Sequence, residues 1–387
     1  MRRARAGAAA LLALATLTLA GAAASADADE AGAARGDDFL FGISDGSPIF
    51  PYEGSATAEQ LADLEHGVGA EAGRFTLRWD EIQPDAPPPV GPPHYDWTAA
   101  DELVAALRKQ GIAPLPMVLG SPAWARTEGC SGICPPAPEH LADFGLFVAS
   151  VVARYPDAAA VEVWNEPNLI ANWAGGDGPD PAAYATMFEA ARRPTERIAP
   201  TTPILIGGLA FPLESSIADG SVSAADWLAG FYAAAAGGAA DLSDERVALA
   251  VHPYPGLDEL AGSNPQGRFA QTMASVRRAI ASTDPDPARK IWVTETGVST
   301  TAPGPDGTTT PPELQASALR FYLHQLQLAP DVAAALVYTM VDRPPQETIS
   351  EEGFGLVGRG PDFTPKPAYC VLAREYASEL PDRCTTG

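Results

Sequence analysis

Two segments of this 387-residue chain combine an apolar run with a glutamate at its end. The first, VEVWNEPN at 161–168, contains the pair Asn165-Glu166, and the second, IWVTETG at 291–297, contains Glu295. Two carboxylates that face each other across a sugar can cleave a glycosidic bond, because one protonates the leaving oxygen and the other attacks the anomeric carbon or activates water. In retaining enzymes the two carboxyl groups lie about 5–5.5 Å apart. At that distance they do not readily ionise together near neutral pH, so one stays protonated and supplies the acid proton.

Short β-prone runs alternate with helical patterns along most of the chain. The runs lie at 39–44, 73–79, 112–119, 160–165, 203–209, 247–252, 290–295 and 333–339. Apolar stripes between them predict helices from the capping box Thr57-x-x-Gln60, from Thr98, over 141–152, 182–198, 224–236, 267–281, 313–327 and 366–377. The spacing of roughly 35–45 residues fits one strand-plus-helix unit. Eight such units predict a (β/α)8 barrel as one domain over 39–378, in preference to an open doubly wound sheet.

The barrel positions the two glutamates at one rim. Glu166 ends the fourth strand and Glu295 ends the seventh, and the carboxyl ends of parallel barrel strands share one face. Long connections rich in Pro, Gly or Trp follow several strands, at 80–97, 120–138, 167–181 and 340–365. A single glutamate at a strand end is more often a solvated or ion-paired surface residue. Two of them on the fourth and seventh units, each near a Trp, predict an active site.

With these residues the chain resembles clan A of the glycoside hydrolases, the 4/7 superfamily, and within it the family 39 and family 5 set of cellulases and xylosidases. The resemblance covers about residues 39–378 and rests on WNEP at 164–167 and VTETG at 293–297. It implies a retaining β-glycosidase with Glu166 as acid/base and Glu295 as nucleophile. The implied substrate is a polysaccharide or oligosaccharide of plant or microbial origin. The sequence has no H-E-x-x-H motif, P-loop or Ca²⁺ loop, so no cofactor and no metal are expected.

The resemblance also implies supporting residues around the carboxylates. Asn165 would bind the sugar 2-hydroxyl, and Arg74 in the second run would hold the nucleophile ionised. Arg74 could equally form an ordinary structural ion pair. His252 and Tyr254 match a segment in which the tyrosine orients the nucleophile, and His252 is given a supporting role because a histidine at a strand end is more often a core hydrogen-bonding group.

Aromatic side chains near strand ends are candidates for sugar stacking. Trp124 follows the third run, and Trp173 lies in the connection after Glu166. Clan members commonly carry a tryptophan at the end of strand eight, whereas this chain has LVYTMVD at 336–342, so Tyr338 would substitute. This departure keeps a second hypothesis open, a non-catalytic carbohydrate-binding barrel.

The N-terminal segment predicts export. A basic start, an Ala-rich apolar run and the small-x-small pattern before Asp27 favour a signal peptide over 1–26, with an uncleaved membrane anchor as the alternative. The small, acidic and Gly/Ala-rich composition of residues 27–38 predicts a disordered linker. Removal of 1–26 deletes three arginines and no acid, which takes the net charge from −24 to −27. A secreted, soluble protein that binds neither nucleic acid nor membrane is therefore expected, with a monomer as the default oligomeric state.

The four cysteines form two local pairs. In an exported chain, Cys130 with Cys134 and Cys370 with Cys384 predict disulfides, the second pinning the C-terminal tail at 379–387. Zinc is less favoured, because neither pair has a second C-x-x-C or a suitably spaced histidine.

Two further motifs are judged coincidental. The sequence GISDG at 42–46 matches the nucleophile elbow of esterases, but it lacks the preceding strands that an elbow requires. GVGAEA at 67–72 resembles a dinucleotide loop, but it follows a helical pattern instead of opening one.

Overall fold

The frame of the protein is a barrel of parallel strands. A computed structural model describes residues 39–45, 56–211, 217–218, 220–255, 267–301, 309–344 and 352–385. Its strands are β1 (Leu40–Ser44), β2 (Ala72–Arg78), β3 (Ala113–Leu119), β4 (Val161–Asn165), β5 (Ile204–Ala210), β6 (Val247–His252), β7 (Ile291–Thr296) and β8 (Val332–Val337). Each strand pairs in parallel with the next, and β1 pairs with β8, so the sheet closes. The predicted (β/α)8 barrel is confirmed.

Helices follow the strands along the described chain. They are α1 (Ala58–Gly67), α2 (Trp79–Ile82), α3 (Thr98–Lys109), α4 (Leu141–Arg154), α5 (Pro181–Thr195), α6 (Ala224–Ala236), α7 (Arg268–Thr283), α8 (Pro312–Gln327) and α9 (Pro367–Tyr376). The predicted capping box opens α1, where the Thr57 hydroxyl accepts from the Gln60 amide and the Gln60 side chain binds the Thr57 amide. The sequence did not predict α2, a single turn directly after β2. No described helix is both long and apolar enough to cross a bilayer.

Strand residues alternate between two apolar clusters. One cluster combines strand residues such as Val161 and Val163 with residues of the surrounding helices, so it fills the layer between barrel and helices. The other consists of strand residues and Ala160, which directly precedes β4, and fills the barrel interior: Leu115, Ala160, Leu205, Ala248, Ala250, Trp292, Ala334 and Leu336. The interior is therefore a packed core on which a polar site can rest.

Both predicted cysteine pairs are bonded. Cys130–Cys134 closes a short loop after β3, and Cys370–Cys384 links α9 to a 3₁₀ turn at Asp382–Cys384. The predicted signal peptide at 1–26 and the linker at 27–38 lie outside the described residues.

Candidate active site

The fourth strand changes direction where it reaches the rim. Glu162 lies on the interior face of β4, and strict alternation would direct Trp164 inward as well. Trp164 instead has a φ of 77° and belongs to the outer apolar cluster, where its ring packs edge-on against Trp173. Glu166 follows with a φ of 44°. A left-handed conformation is uncommon outside glycine and points to a constrained, functional turn.

The two predicted catalytic glutamates meet at this rim. One oxygen of Glu166, one oxygen of Glu295 and one ring nitrogen of His252 all lie within 4.8 Å of one another. Nδ1 of His252 is 3.0 Å from Oε1 of Glu166 and 3.8 Å from Oε2 of Glu295. The side chains of Glu166 and Glu295 remain 19% and 13% exposed, so a ligand can reach both carboxyl groups.

Arg74 is the cation at the centre of the site. The side chain is 1% exposed and donates from Nε to Oε2 of Glu162 at 2.6 Å and from Nη1 to Oε1 of Glu295 at 2.6 Å. It also donates to Oγ of Ser44 at 3.0 Å and to Oδ1 of Asn165 at 2.8 Å. The sequence left two roles open for Arg74, a partner of the nucleophile and a structural ion pair. The structure shows both contacts, because Arg74 pairs with the candidate nucleophile Glu295 and with the buried carboxylate of Glu162.

The surroundings of Glu295 favour its ionised form. Burial alone would raise the pKa of Glu295, but the positive charges of His252 and Arg74 and a hydrogen bond from Tyr254 outweigh burial and lower it. The Tyr254 hydroxyl donates to Oε2 of Glu295 at 2.9 Å. Burial, reinforced by the charge of Glu295, raises the pKa of Tyr254 well above its usual value, so the phenol keeps the proton that it donates.

Glu166 has different partners. Its Oε1 contacts Nδ1 of His252, and its Oε2 accepts from Nδ2 of Asn172 at 3.1 Å. No arginine or lysine is paired with Glu166 among the described residues. The two carboxyl groups therefore differ, one bound by a guanidinium and a phenol, the other by an imidazole and an amide. Asn172 was missed because nothing in the sequence distinguishes it from other polar residues of its loop.

A buried polar layer lies beneath the two glutamates. Glu162 is fully buried, and its Oε1 accepts from the Gly208 amide at 2.8 Å and from the Thr294 hydroxyl at 3.3 Å. Oγ1 of Thr294 is also 3.1 Å from Nε2 of His252. The sequence analysis overlooked Glu162 and Thr294, although an acidic residue within the apolar strand VEVW was a usable signal.

The predicted aromatic residues occupy different environments. Trp124 is half-buried, and its ring meets Trp79 and His140 edge-on. Tyr338 follows β8 and is 6% exposed, with its ring edge-on to Phe354. Its bond to Thr339 is cis.

The position of Trp173 does not fit the sugar-stacking role expected from the sequence. Its ring is 4% exposed and packs against Trp164 and Tyr184, as a core side chain does. Its small exposed edge lines a second pocket of about 930 Å³ between the loops that follow β3 and β4. None of the residues that contact Glu166 or Glu295 lines that pocket.

The chemistry of the donor set does not favour a metal. Glu166, His252 and Glu295 form a group that could supply three ligands to a cation. The guanidinium of Arg74 already pairs with Glu295 at 2.6 Å, and a divalent ion beside it would meet a fixed positive charge. The residues therefore fit a hydrogen-bonded carboxylate site better than a metal centre.

Comparisons with known proteins establish the fold. No protein-family model and no curated protein matches the chain. Among solved structures it is similar to a family 39 glycoside hydrolase from Bacteroides cellulosilyticus WH2, with 20% identity and a TM-score of 0.59 over 87% of this chain and 63% of that one. It is also similar to a monomeric beta-xylosidase from Caulobacter crescentus CB15, with 21% identity and a TM-score of 0.61 over 87% and 67% of the two chains. A GH5_18 protein from Streptomyces cattleya, solved with GlcNAc, matches with 19% identity and a TM-score of 0.61 over 88% and 81%.

Proposed function

We propose that this protein is a retaining β-glycoside hydrolase that acts by double displacement. The observation that carries the proposal is the approach of Glu166 and Glu295: one oxygen of each lies within 4.8 Å of the other, and the two carboxyl groups have unlike surroundings. Retaining enzymes hold their carboxyl groups about 5–5.5 Å apart, whereas inverting enzymes need about 6.5–9.5 Å to admit a water molecule. The likeness to glycoside hydrolases of families 39 and 5 supports the same assignment.

In the first step, a carboxylate oxygen of Glu295 attacks the anomeric carbon, and the bond from that carbon to the leaving oxygen breaks. The leaving oxygen takes its proton from Glu166. Arg74 and Tyr254 hold Glu295 ionised and oriented for this attack. The products of the step are a glycosyl ester on Glu295, a carboxylate on Glu166 and the released alcohol.

In the second step, Glu166 removes a proton from water, whose oxygen attacks the anomeric carbon and displaces the ester. Glu295 leaves as a carboxylate, and the sugar is released with its original anomeric configuration. Asn165 accepts from Arg74 through Oδ1, so its Nδ2 group is the part that can donate to a sugar hydroxyl. A contact of this kind that tightens in the transition state would lower the barrier.

We further propose that the substrate is a neutral β-linked oligosaccharide or polysaccharide and that the protein is exported and acts as a monomer. One structural neighbour is a beta-xylosidase and another was solved with GlcNAc, so xylosides and N-acetylglucosaminides are the first glycosides to test. Cleavage of the leader can be tested by mass spectrometry of the exported protein, and the monomer by light scattering.

The decisive experiment is covalent trapping after a panel of 4-nitrophenyl β-glycosides has identified a substrate. The corresponding 2-deoxy-2-fluoro glycoside with a good leaving group should inactivate the enzyme and add one glycosyl mass to the peptide that contains Glu295. Glu295→Ala should abolish turnover and labelling. Azide should restore turnover to Glu166→Ala by replacing water as the nucleophile.

Glu128→Ala is the matched control, because Glu128 is an exposed carboxylate in the loop after β3 and contacts neither candidate. It should retain the activity of the wild type. A product of inverted configuration, or labelling of another residue, would refute the proposed mechanism. Sugar binding without turnover on any glycan would favour the non-catalytic carbohydrate-binding barrel.

A further inference from the structure

A chain of hydrogen bonds runs from Glu162 through Thr294 to His252. Glu162 is ion-paired with Arg74 at 2.6 Å and accepts from the Gly208 amide at 2.8 Å, so it serves as an acceptor in this layer. The Thr294 hydroxyl has one hydrogen and two possible acceptors, Oε1 of Glu162 at 3.3 Å and Nε2 of His252 at 3.1 Å, and the charged carboxylate is the stronger acceptor. All three side chains are buried, so water does not compete for these contacts.

The direction of the chain determines which ring nitrogen of His252 carries hydrogen. With its hydrogen directed at Glu162, Oγ1 of Thr294 faces Nε2 of His252 with a lone pair, at 3.1 Å. In this arrangement Nε2 carries a hydrogen and donates it to Thr294. In the neutral ring this leaves Nδ1 as an acceptor, and Nδ1 is the atom that lies 3.0 Å from Oε1 of Glu166.

One proton must then lie between His252 and Glu166. Without it, a nitrogen lone pair and a carboxylate oxygen would face each other at 3.0 Å. The groups around this contact are Glu162 beside Nε2, Thr294, Glu295 at 3.8 Å from Nδ1, and Arg74. Burial alone would lower the pKa of His252, but the charges of Glu295 and Glu166 outweigh burial and raise it, which favours retention of the proton.

We infer that Thr294 and Glu162 are positioning residues for general acid catalysis. They fix His252 in the form protonated at Nε2, so that Nδ1 and Glu166 share the proton that the leaving oxygen receives. This inference rests on the proposed glycosidase function and deepens it, because it assigns the supply of the acid proton to a buried chain of three residues. Neither Thr294 nor Glu162 needs to touch the sugar.

The kinetic test compares leaving groups on Thr294→Val. Valine keeps the shape of threonine but cannot accept from Nε2 of His252. Dinitrophenolate leaves without protonation, whereas a simple alkyl alcohol needs the acid, and general acid catalysis contributes about 10²–10⁴-fold. Thr294→Val should lower kcat at least about tenfold for the alkyl glycoside and less than about threefold for the 2,4-dinitrophenyl glycoside, provided that bond cleavage limits the rate.

Two further variants distinguish a positioning role of Thr294 from a nonspecific effect of the substitution on the folded structure. Thr294→Ser restores the hydroxyl and should recover most of the activity on the alkyl glycoside. Thr272→Val replaces a buried threonine of α7 outside the site and should affect neither substrate selectively. Equal losses on both substrates for Thr294→Val, or no recovery by serine, would overturn the inference.

A second measurement does not depend on turnover or on the folding of a variant. The ¹⁵N shifts and proton couplings of His252 in the wild type should show Nε2 protonated throughout the pH range in which the protein is folded. A ring protonated only at Nδ1 would refute the inference even if the enzyme is active. The absence of turnover on every glycoside, with Nε2 protonated as expected, would refute the proposed function and leave the tautomer assignment standing.

Discussion

Replacement of Arg74 by methionine tests whether one buried cation supports both the barrel interior and the candidate nucleophile. Methionine keeps an unbranched, apolar stem but has no charge, so Arg74→Met leaves Glu162 as an unpaired carboxylate with 0% exposure. Removal of one partner from a buried ion pair costs about 3–5 kcal/mol of unfolding free energy. The change also removes one of the positive charges that lower the pKa of Glu295.

Urea denaturation followed by circular dichroism gives the first readout, and the loss should fall within that range. Arg192→Met is the matched control: Arg192 is 2% exposed, but its partner Asp244 keeps a second pair with Arg246, and its partners Glu189 and Glu196 are 26% and 46% exposed. Those carboxylates can turn to water, so the control should lose only about 1–2 kcal/mol.

The second readout is the pH dependence of any residual activity. The nucleophile must be ionised, and loss of Arg74 raises the pKa of Glu295, so the acid limb of kcat/KM should move to higher pH. Arg192→Met should leave this limb unchanged. If Arg74→Met is no less stable than the control, or if its acid limb stays in place, the central role given to Arg74 is wrong.

Three further predictions concern single contacts. Tyr254→Phe removes a hydrogen bond to the candidate nucleophile, and such bonds to charged groups contribute about 1.5–3 kcal/mol, so kcat/KM should fall roughly 10- to 100-fold and its acid limb should move to higher pH. Glu65 is buried, and burial together with the charge of Asp45 raises its pKa well above 4.5, so wild-type stability should fall as the pH rises from 4.5 through that raised pKa. Glu65→Gln cannot titrate and should remove this dependence in thermal unfolding. Cys370→Ser opens the loop of 14 residues to Cys384 and should lower the unfolding free energy by about 3 kcal/mol in urea denaturation.

Each of these has a result that would contradict it. An unchanged acid limb in Tyr254→Phe would mean that the phenol does not stabilise the carboxylate. A parallel pH dependence of stability in the wild type and Glu65→Gln would assign that dependence to other groups. If reduction of the wild type costs no stability, the disulfide at Cys370 does not restrain the unfolded chain as proposed.

The sequence predicted the frame closely because the frame depends on local patterns. Apolar runs and amphipathic stripes located the strands to within two residues at each end, since a buried parallel strand is nearly continuous in apolar residues. The single turn α2 was missed because Trp79 continues the apolar pattern of β2 while its backbone has already become helical. Trp173 was misassigned because an aromatic residue in a loop after a strand carries no sequence signal that separates a core ring from an exposed one.

The polar layer was harder to predict because its contacts cross the barrel. Arg74 lies 88 positions from Glu162 and 221 from Glu295, so periodicity along the chain says nothing of their pairing. Trp164 adds a second obstacle, since its positive φ breaks the alternation that assigns residues of β4 to the two faces. The family resemblance identified Arg74 and Tyr254 as site residues, whereas the roles of Glu162 and Thr294 became visible only in the closed barrel.

The structure also explains how several charges coexist in the barrel. Arg74 is one cation shared by Glu162 and Glu295, and the proton between His252 and Glu166 compensates the remaining carboxylate. Gly208 leaves space for this arrangement, because a Cβ at this position would lie 2.0 Å from Nε2 of His252. The Gly208 amide also donates to Glu162. A buried charge is costly unless it is paired and hydrogen-bonded, and these charges meet that condition through contacts between different strands of the barrel. The same contacts that make the interior stable thus give the two glutamates unlike surroundings, and glycoside cleavage requires two carboxyl groups in unlike roles.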